Sequence, residues 1–223
     1  TYTVTASQGL GGSCQKVQTY TFAINCPILT FNNTSVSNGV VGTSFSLDAS
    51  VVGNTQPLTY SITPSLPTGL SLDINTGLIS GIPIISAPNT TYTVTTSQNS
   101  GACSISQTYT FAINCPTLTF TNLSISSATV GTNFSLNASV VGNTQPLTYS
   151  ITPSLPAGLS LDVNTGMITG TPTNISSLTS YTITASQNNS NCFITKVYDI
   201  AIDCPNTQIQ PSSLSNAKQY VDY

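Results

Sequence analysis

The sequence predicts an all-β protein built as a linear array of seven-stranded β-sandwiches. Three observations carry that prediction. Short runs alternate apolar and polar residues, the period of a half-buried strand: Tyr109, Phe111 and Ile113 alternate with Thr108, Thr110, Ala112 and Asn114. Glycine and proline clusters break the chain roughly every 8–12 residues, the turn spacing of all-β sandwiches. No segment carries a 3.6-residue apolar period between capping residues, the signature of a helix.

The array follows from internal repetition. Cys14, Cys103 and Cys192 lie 89 residues apart, and so do Cys26, Cys115 and Cys204. Residues 49–67 recur unchanged at 138–156, and residues 18–27 at 107–116. Tandem copies of one domain are the expected source of such identity. The predicted division is 1–26, 27–115, 116–204 and 205–223.

Within the repeat 27–115, Ile28 to Phe31 forms the first predicted strand, and Val41-Gly42-Thr43 turns it. Phe45 to Ala49 alternates and forms the second. Gly53 to Pro57 is a loop. Leu58 to Thr63 is the third strand, stopped by Pro64 and Pro67. Leu70 to Asp73 is the fourth. Asp73 to Gly77 is a tight turn with glycine where a positive φ is required. Leu78 to Ser80 is the fifth strand, closed by Gly81 and Pro83. Thr91 to Thr95 begins the sixth, with Tyr92 and Tyr181 as candidate tyrosine corners or plain core tyrosines. Asn99-Ser100-Gly101 turns it into the seventh, which ends at Cys115. Seven strands in about 89 residues indicate an immunoglobulin-like sandwich.

The chain starts out of phase with this repeat. Thr1 to Val4 matches Thr91 to Val94, so residues 1–26 read as the last two strands of a preceding repeat. A lone hairpin is marginal in water. The expectation is that upstream residues of a longer polypeptide, or strands of another chain, complete it. Residues 205–223 depart from the repeat and read as a linker or the start of a different domain.

Only 4% of residues are charged and the net charge is −3. With three lysines and no arginine there is little to neutralise phosphates or anionic lipid headgroups, which argues against nucleic acid and anionic membrane surfaces as partners. No apolar run approaches the ~20 residues of a membrane span.

The segment Leu66 to Pro83 reads L-P-T-G-L-S-L-D-I-N-T-G-L-I-S-G-I-P, and Leu155 to Pro172 ends in Gly170-Thr171-Pro172. Both resemble the signature of the immunoglobulin-like (cadherin-like) tandem repeats of bacterial extracellular surface proteins, L-P-x-G-L-x-L-D-x-x-T-G-x-I-x-G-T-P. Ile82 departs from that pattern at its threonine position. The added cysteine pair and the Asn/Thr/Ser-rich, lysine-poor composition resemble the giant adhesins of Bacteroidota, including gliding adhesins. The resemblance implies an extracellular, cell-surface module with no catalytic site to carry over.

Six cysteines at wide spacing, with no histidine, point to disulfides rather than metal and to a compartment outside a reducing cytoplasm. Cys103 and Cys115 bracket one strand. Twelve residues at ~3.3 Å span about 40 Å, whereas a disulfide needs Cα atoms within ~7 Å. In a sandwich of this topology the turn before Cys103 and the residue Cys26 lie at the same pole. The expected pairs are therefore Cys26–Cys103 and Cys115–Cys192. Cys14 and Cys204 are expected to pair outside the window 1–223 or with another chain.

Candidate chemistry is sparse. Without histidine, paired carboxylates or an activated cysteine, catalysis is not expected. Asp73 and Asn75, with Asp162 and Asn164, are weak calcium candidates, because calcium takes six to eight oxygens and each turn offers one carboxylate. An Asx turn is the favoured reading. No cofactor is expected. Lys16 and Lys196 occupy non-equivalent positions and read as exposed lysines rather than isopeptide donors. Asn-x-Ser/Thr sequences at Asn32, Asn33, Asn89, Asn122, Asn133, Asn137, Asn174 and Asn188 are what such a composition produces by chance.

The leading functional expectation is a stalk or filament segment of a repetitive surface adhesin, fastened by disulfides at each joint, with neighbouring repeats as partners. The alternatives are a glycan- or protein-binding module using the loops Gly53–Pro57 and Asn99–Ala102, and a fibre subunit whose hairpin 1–26 is completed by a neighbouring chain.

Overall fold

The computed structural model describes residues 1–8, 14–23, 25–98, 101–122, 127–187 and 191–206. Every element named below, among the described residues, is a β-strand. The first repeat runs β3 (Thr30–Phe31), β4 (Gly39–Val40), β5 (Phe45–Asp48), β6 (Val51–Val52), β7 (Thr59–Thr63), β8 (Leu70–Leu72), β9 (Leu78–Gly81), β10 (Ala87–Gln98) and β11 (Cys103–Asn114). The second follows as β12 (Thr119–Phe120), β13 (Ala128–Thr129), β14 (Phe134–Asn137), β15 (Val140–Val141), β16 (Leu147–Thr152), β17 (Leu159–Leu161), β18 (Met167–Gly170), β19 (Ser176–Gln187) and β20 (Phe193–Asp203). The seven expected strands are joined by two of two residues each, β4 and β6, for which a two-residue pattern offers no period to read. The sixth strand is longer than the alternation suggested. It starts at Ala87 and absorbs Pro88 at an irregularity between Ala87 and Thr90, where a missing N–H is tolerated.

Each repeat is a sandwich. One sheet has the order β4-β11-β10-β7, with β4 parallel to β11 and the other pairs antiparallel. The facing sheet is β5-β9-β8, and β3 pairs with β6. The second repeat repeats the pattern as β13-β20-β19-β16, β14-β18-β17 and β12-β15.

The alternation seen in the sequence becomes the core. Tyr109, Phe111 and Ile113 are buried with Phe45, Leu47, Val41, Ile79 and Val94. Phe111 stacks on Tyr92 at 4.6 Å and on Phe45 at 5.0 Å between centroids. Burying each large apolar side chain contributes about 1.5–3 kcal/mol. Buried tyrosines keep their hydroxyls satisfied. Tyr60 accepts a bond from the Val51 N–H at 3.0 Å, and Tyr109 donates to the Asn33 carbonyl at 2.6 Å. Tyr149 and Tyr198 repeat these bonds on Val140 and Asn122. The hydroxyl that ties a long strand back to an earlier loop is thus that of Tyr109 on the seventh strand, while Tyr92 on the sixth stacks in the core.

Gly77 closes the Asp73 turn at φ 79°, and a Cβ there would sit 2.6 Å from the Tyr60 ring. Glycine is required twice over, by conformation and by space.

The N-terminal hairpin, β1 (Tyr2–Gln8) paired antiparallel with β2 (Cys14–Tyr20), is exposed throughout. Tyr2, Val4, Tyr20 and Phe22 are 54–57% exposed. Their counterparts in the first repeat, Tyr92, Val94, Tyr109 and Phe111, are buried.

Candidate functional site

The most elaborated polar arrangement lies where the two repeats meet. It is convenient to name the pole at which the chain enters a repeat its head, and the pole at which it leaves its tail. The tail of the first repeat presents the Val41-Gly42 turn and Ser86. The head of the second presents the loop 142–146, Gln187, Asn191 and Cys192.

Asn143 Nδ2 donates to the Gln145 carbonyl at 2.9 Å and folds the loop on itself. Gln187, fully buried, holds it from below: its Oε1 accepts the Thr144 N–H at 3.0 Å and its Nε2 donates to Thr144 Oγ1 at 3.1 Å. With its oxygen already accepting, the Thr144 hydroxyl has its hydrogen left to give. It donates that hydrogen across the joint to the Val41 carbonyl at 2.6 Å. A chain of three polar groups, each orienting the next, therefore crosses from one repeat to the other. A second bridge lies beside it. Asn191 Oδ1 accepts from the Ser86 N–H at 3.0 Å and from the Ser86 hydroxyl at 2.8 Å.

Packing follows the polar contacts. Val41 is 0% exposed, whereas its counterpart Val130 is half-buried. Cys192 is 1% exposed and belongs to the core cluster of the first repeat. Gly42 lies so close that a Cβ on it would meet Thr144 Oγ1 at 2.5 Å.

The cysteines close the same region. Cys115, one residue past β11, bonds to Cys192 with Cα atoms 5.4 Å apart, and Cys26 bonds to Cys103 at 5.5 Å. Cys14 and Cys204 are free and exposed.

The remaining candidates resolve into local structure. Asp73 Oδ1 accepts the backbone N–H groups of Asn75 at 2.8 Å and Thr76 at 3.2 Å, and Asp162 does the same for Asn164 and Thr165. These bonds, led by the Asn75 and Asn164 N–H groups, hold both carboxyls below the usual range. This is an Asx turn, and each turn supplies a single carboxylate, bonded through its Oδ1 to the backbone. Among the described residues no group of three or more His, Cys, Asp or Glu gathers. Asp48 and Asn137 do one job: each accepts the N–H two residues on, at 2.9 Å, for which a neutral oxygen suffices. Lys16 is exposed, and Lys196 lies 5.7 Å over the Tyr198 ring. Asn99, Ser100, Asn188 and residues 207–223 lie outside the described residues.

An open groove of about 540 Å³ runs beside the first sandwich, lined by Asn33, Ser35, Asn38, Thr43 and Ser46 among others, and it carries no charged side chain. Among the described residues no helix is long and apolar enough to cross a membrane.

Sequence reasoning missed Thr144, Gln187, Asn191 and Ser86. One signal was present: a Ser-Gln pair stands shortly before the first cysteine of every copy, at Gln8, Gln98 and Gln187. A glutamine on the core-facing parity of a strand is a polar group that must be bonded to something.

The family described as "Putative Ig domain" matches residues 27–114 and again 116–202. Among solved structures, titin domains Z1Z2 in complex with telethonin are similar at 14% identity, covering 82% of this chain and 100% of that one, with a TM-score of 0.40. An endo-fucoidan hydrolase from glycoside hydrolase family 107 is similar at 18% identity over 93% of this chain and 34% of its own length, TM-score 0.39. Sidekick-1 immunoglobulin domains 1–5 are similar at 14% identity over 79% and 40%, TM-score 0.41. The chain thus spans well under half the length of the last two. No curated protein matches the sequence.

Proposed function

The chain belongs to the family described as "Putative Ig domain", and from that membership we propose that it is a non-catalytic spacer: a stalk segment of an extracellular, repetitive cell-surface adhesin. The observation that carries the reading is the joint. A flexible string of beads needs no bond between its beads, yet here Gln187, Thr144 and Asn191 fasten one repeat to the next. Interfaces between domains of one chain default to relative motion unless something holds them. A held joint transmits direction along the array and sets a distance.

Further features support the same reading. Each disulfide ties the residue just ahead of a repeat, Cys26 or Cys115, to the last hairpin of that repeat. Three lysines and no arginine in 223 residues leave few sites for trypsin-like proteases. The exposed apolar face of β1–β2 is the face that the first repeat buries, which supports reading residues 1–26 as the closing strands of one more repeat. The loop 142–146 is engaged in the joint, and this weighs against a ligand-binding role for that loop.

The test is cellular. Antibody raised against residues 27–204 should detect a polypeptide several times larger than 23.2 kDa, released from intact cells by mild surface proteolysis. A species near that mass, recovered only after lysis, would sink the proposal.

A further inference from the structure

Both disulfides are anchored on one strand. β11 begins at Cys103 and is followed at once by Cys115. Cys103 is bonded back to Cys26, the residue ahead of the first repeat, and Cys115 is bonded forward to Cys192, the residue before β20. A covalent route therefore enters the first repeat at Cys26 and crosses a disulfide to Cys103. It follows β11 to Cys115, crosses the second disulfide to Cys192 and leaves along β20 to Cys204. Residues 27–102 and 116–191 are not on it. They are closed loops hung beside it.

Tension takes this route, because two residues joined by a short covalent bridge cannot be drawn apart through the longer chain that also joins them. The bridges hold their Cα atoms 5.5 and 5.4 Å apart, so both loops stay slack. The strands on the route are already extended. β11 has 12 residues, about 40 Å at ~3.3 Å each, and a fully drawn chain reaches at most ~3.6 Å per residue. Pulling therefore gains only a few ångströms per repeat. The hydrogen bonds that hold β11 to β10 and β4 flank the loaded strand and are not in series with it. The inter-sheet disulfide of antibody-type domains joins two interior strands and leaves the terminal strands in line with a load. Either placement would serve stability. Only a bridge from the entry residue to the start of the last strand takes the whole sandwich out of the path.

We propose that the disulfides and the last strand of each repeat form a covalent tension cable that makes the array inextensible, with the sandwiches carried beside the load. Under pulling, the repeats keep their fold, the array keeps its length and no core is exposed. A sandwich placed in series would behave differently. On unfolding it would release the roughly 76 residues between its bridged cysteines, about 270 Å at ~3.5 Å each. The inference goes beyond the spacer reading and does not depend on it. A hinged joint leaves the cable as short as a stiff one does, and a chain that holds its orientation yet lengthens under load would overturn the cable alone.

The experiment is single-molecule pulling on the full chain, with handles attached through tags at its two ends and Cys14 and Cys204 alkylated beforehand to exclude new disulfides. Of the 223 residues, about 70 lie outside both loops, so the unaltered chain should reach no more than about 250 Å at ~3.5 Å per residue. It should show no step the size of a repeat. Cys115→Ser with Cys192→Ser puts the second repeat in line and should add about 270 Å. Cys26→Ser with Cys103→Ser should add the same length from the first repeat, and all four substitutions together should reach about 780 Å. A repeat that fails to fold without its bridge adds that length from the start instead of in a step, so the length reports the route whether or not the variant folds. A repeat-sized step in the unaltered chain overturns the proposal. So does a bridge-deleted variant that reaches no further than the unaltered chain.

Discussion

The hydroxyl of Thr144 donates to the carbonyl of Val41 at 2.6 Å, although the two residues are 103 apart in sequence and belong to different sandwiches. Thr55 occupies the same place in the first repeat. Comparing the two threonines isolates the joint. Thr144→Ala should cost about 1 kcal/mol of coupling between the repeats, seen as loss of a shared unfolding transition in denaturant. Thr55→Ala in dilute protein should change stability by no more than about 0.5 kcal/mol.

Gly42 and Gly131 form a second matched pair. Both hold positive φ, 78° and 77°, so alanine at either strains the backbone by about 1–2 kcal/mol. Only at Gly42 would the new Cβ also collide with Thr144. Gly42→Ala should therefore destabilise by at least 1 kcal/mol more than Gly131→Ala in urea titrations. Equal losses would mean that the turn is not pressed against the next repeat.

Removing the Tyr60 hydroxyl tests the core rather than the joint. Tyr60→Phe keeps the ring but leaves the buried Val51 N–H without its acceptor. The expected loss is about 1–3 kcal/mol, and Tyr149→Phe should match it through Val140. Calorimetry of each variant reads this directly.

The alternating strands were legible because burial follows parity: Tyr109, Phe111 and Ile113 are the wall of the core that their spacing implied. β4 and β6 were not, since Gly39–Val40 and Val51–Val52 are too short to show a period and form only by pairing with distant strands. The joint was illegible for a different reason. Gly-Asn-Thr-Gln-Pro is identical at 53–57 and 142–146, so nothing in the motif says which copy faces a neighbour. Only the placement of Val41 opposite Thr144 does. Asn191 and Ser86 are unlike their counterparts Ala102 and Ile175, but a surface Ser and Asn carry no signal until they meet.

Stability should be nearly flat from about pH 5 to pH 9, because the sequence has no histidine and side-chain carboxyls titrate lower. At the acid end, backbone N–H bonds depress the carboxyls of Asp73 and Asp162. Their contribution is present above the unfolded carboxyl value near 4 and is lost as pH falls through the depressed one. At the alkaline end, burial raises the Tyr109 and Tyr198 hydroxyls, with the Asp48 charge adding to Tyr109. Folding then resists loss of the proton, so stability falls as pH rises beyond about 10. Thermal melts across pH should show both shoulders and no step near pH 6.5.

Disulfide mapping bears on the same architecture. Non-reducing digestion should yield Cys26 linked to Cys103 and Cys115 linked to Cys192. Closing loops of separation 77 contributes about 4.5 kcal/mol each on the chain-entropy account, so Cys115→Ser with Cys192→Ser should lower the denaturation midpoint of the second repeat sharply. A Cys103–Cys115 link would contradict a continuous β11.

The proposed spacer role requires a stiff joint, and residual dipolar couplings measure that stiffness most directly. In one aligned, isotopically labelled sample of the full chain, couplings from residues 27–115 and from 116–204 should fit a single alignment tensor, and Thr144→Ala combined with Asn191→Ala should split it in two. Two unequal tensors in the unaltered protein would show the repeats turning independently, and would contradict the account.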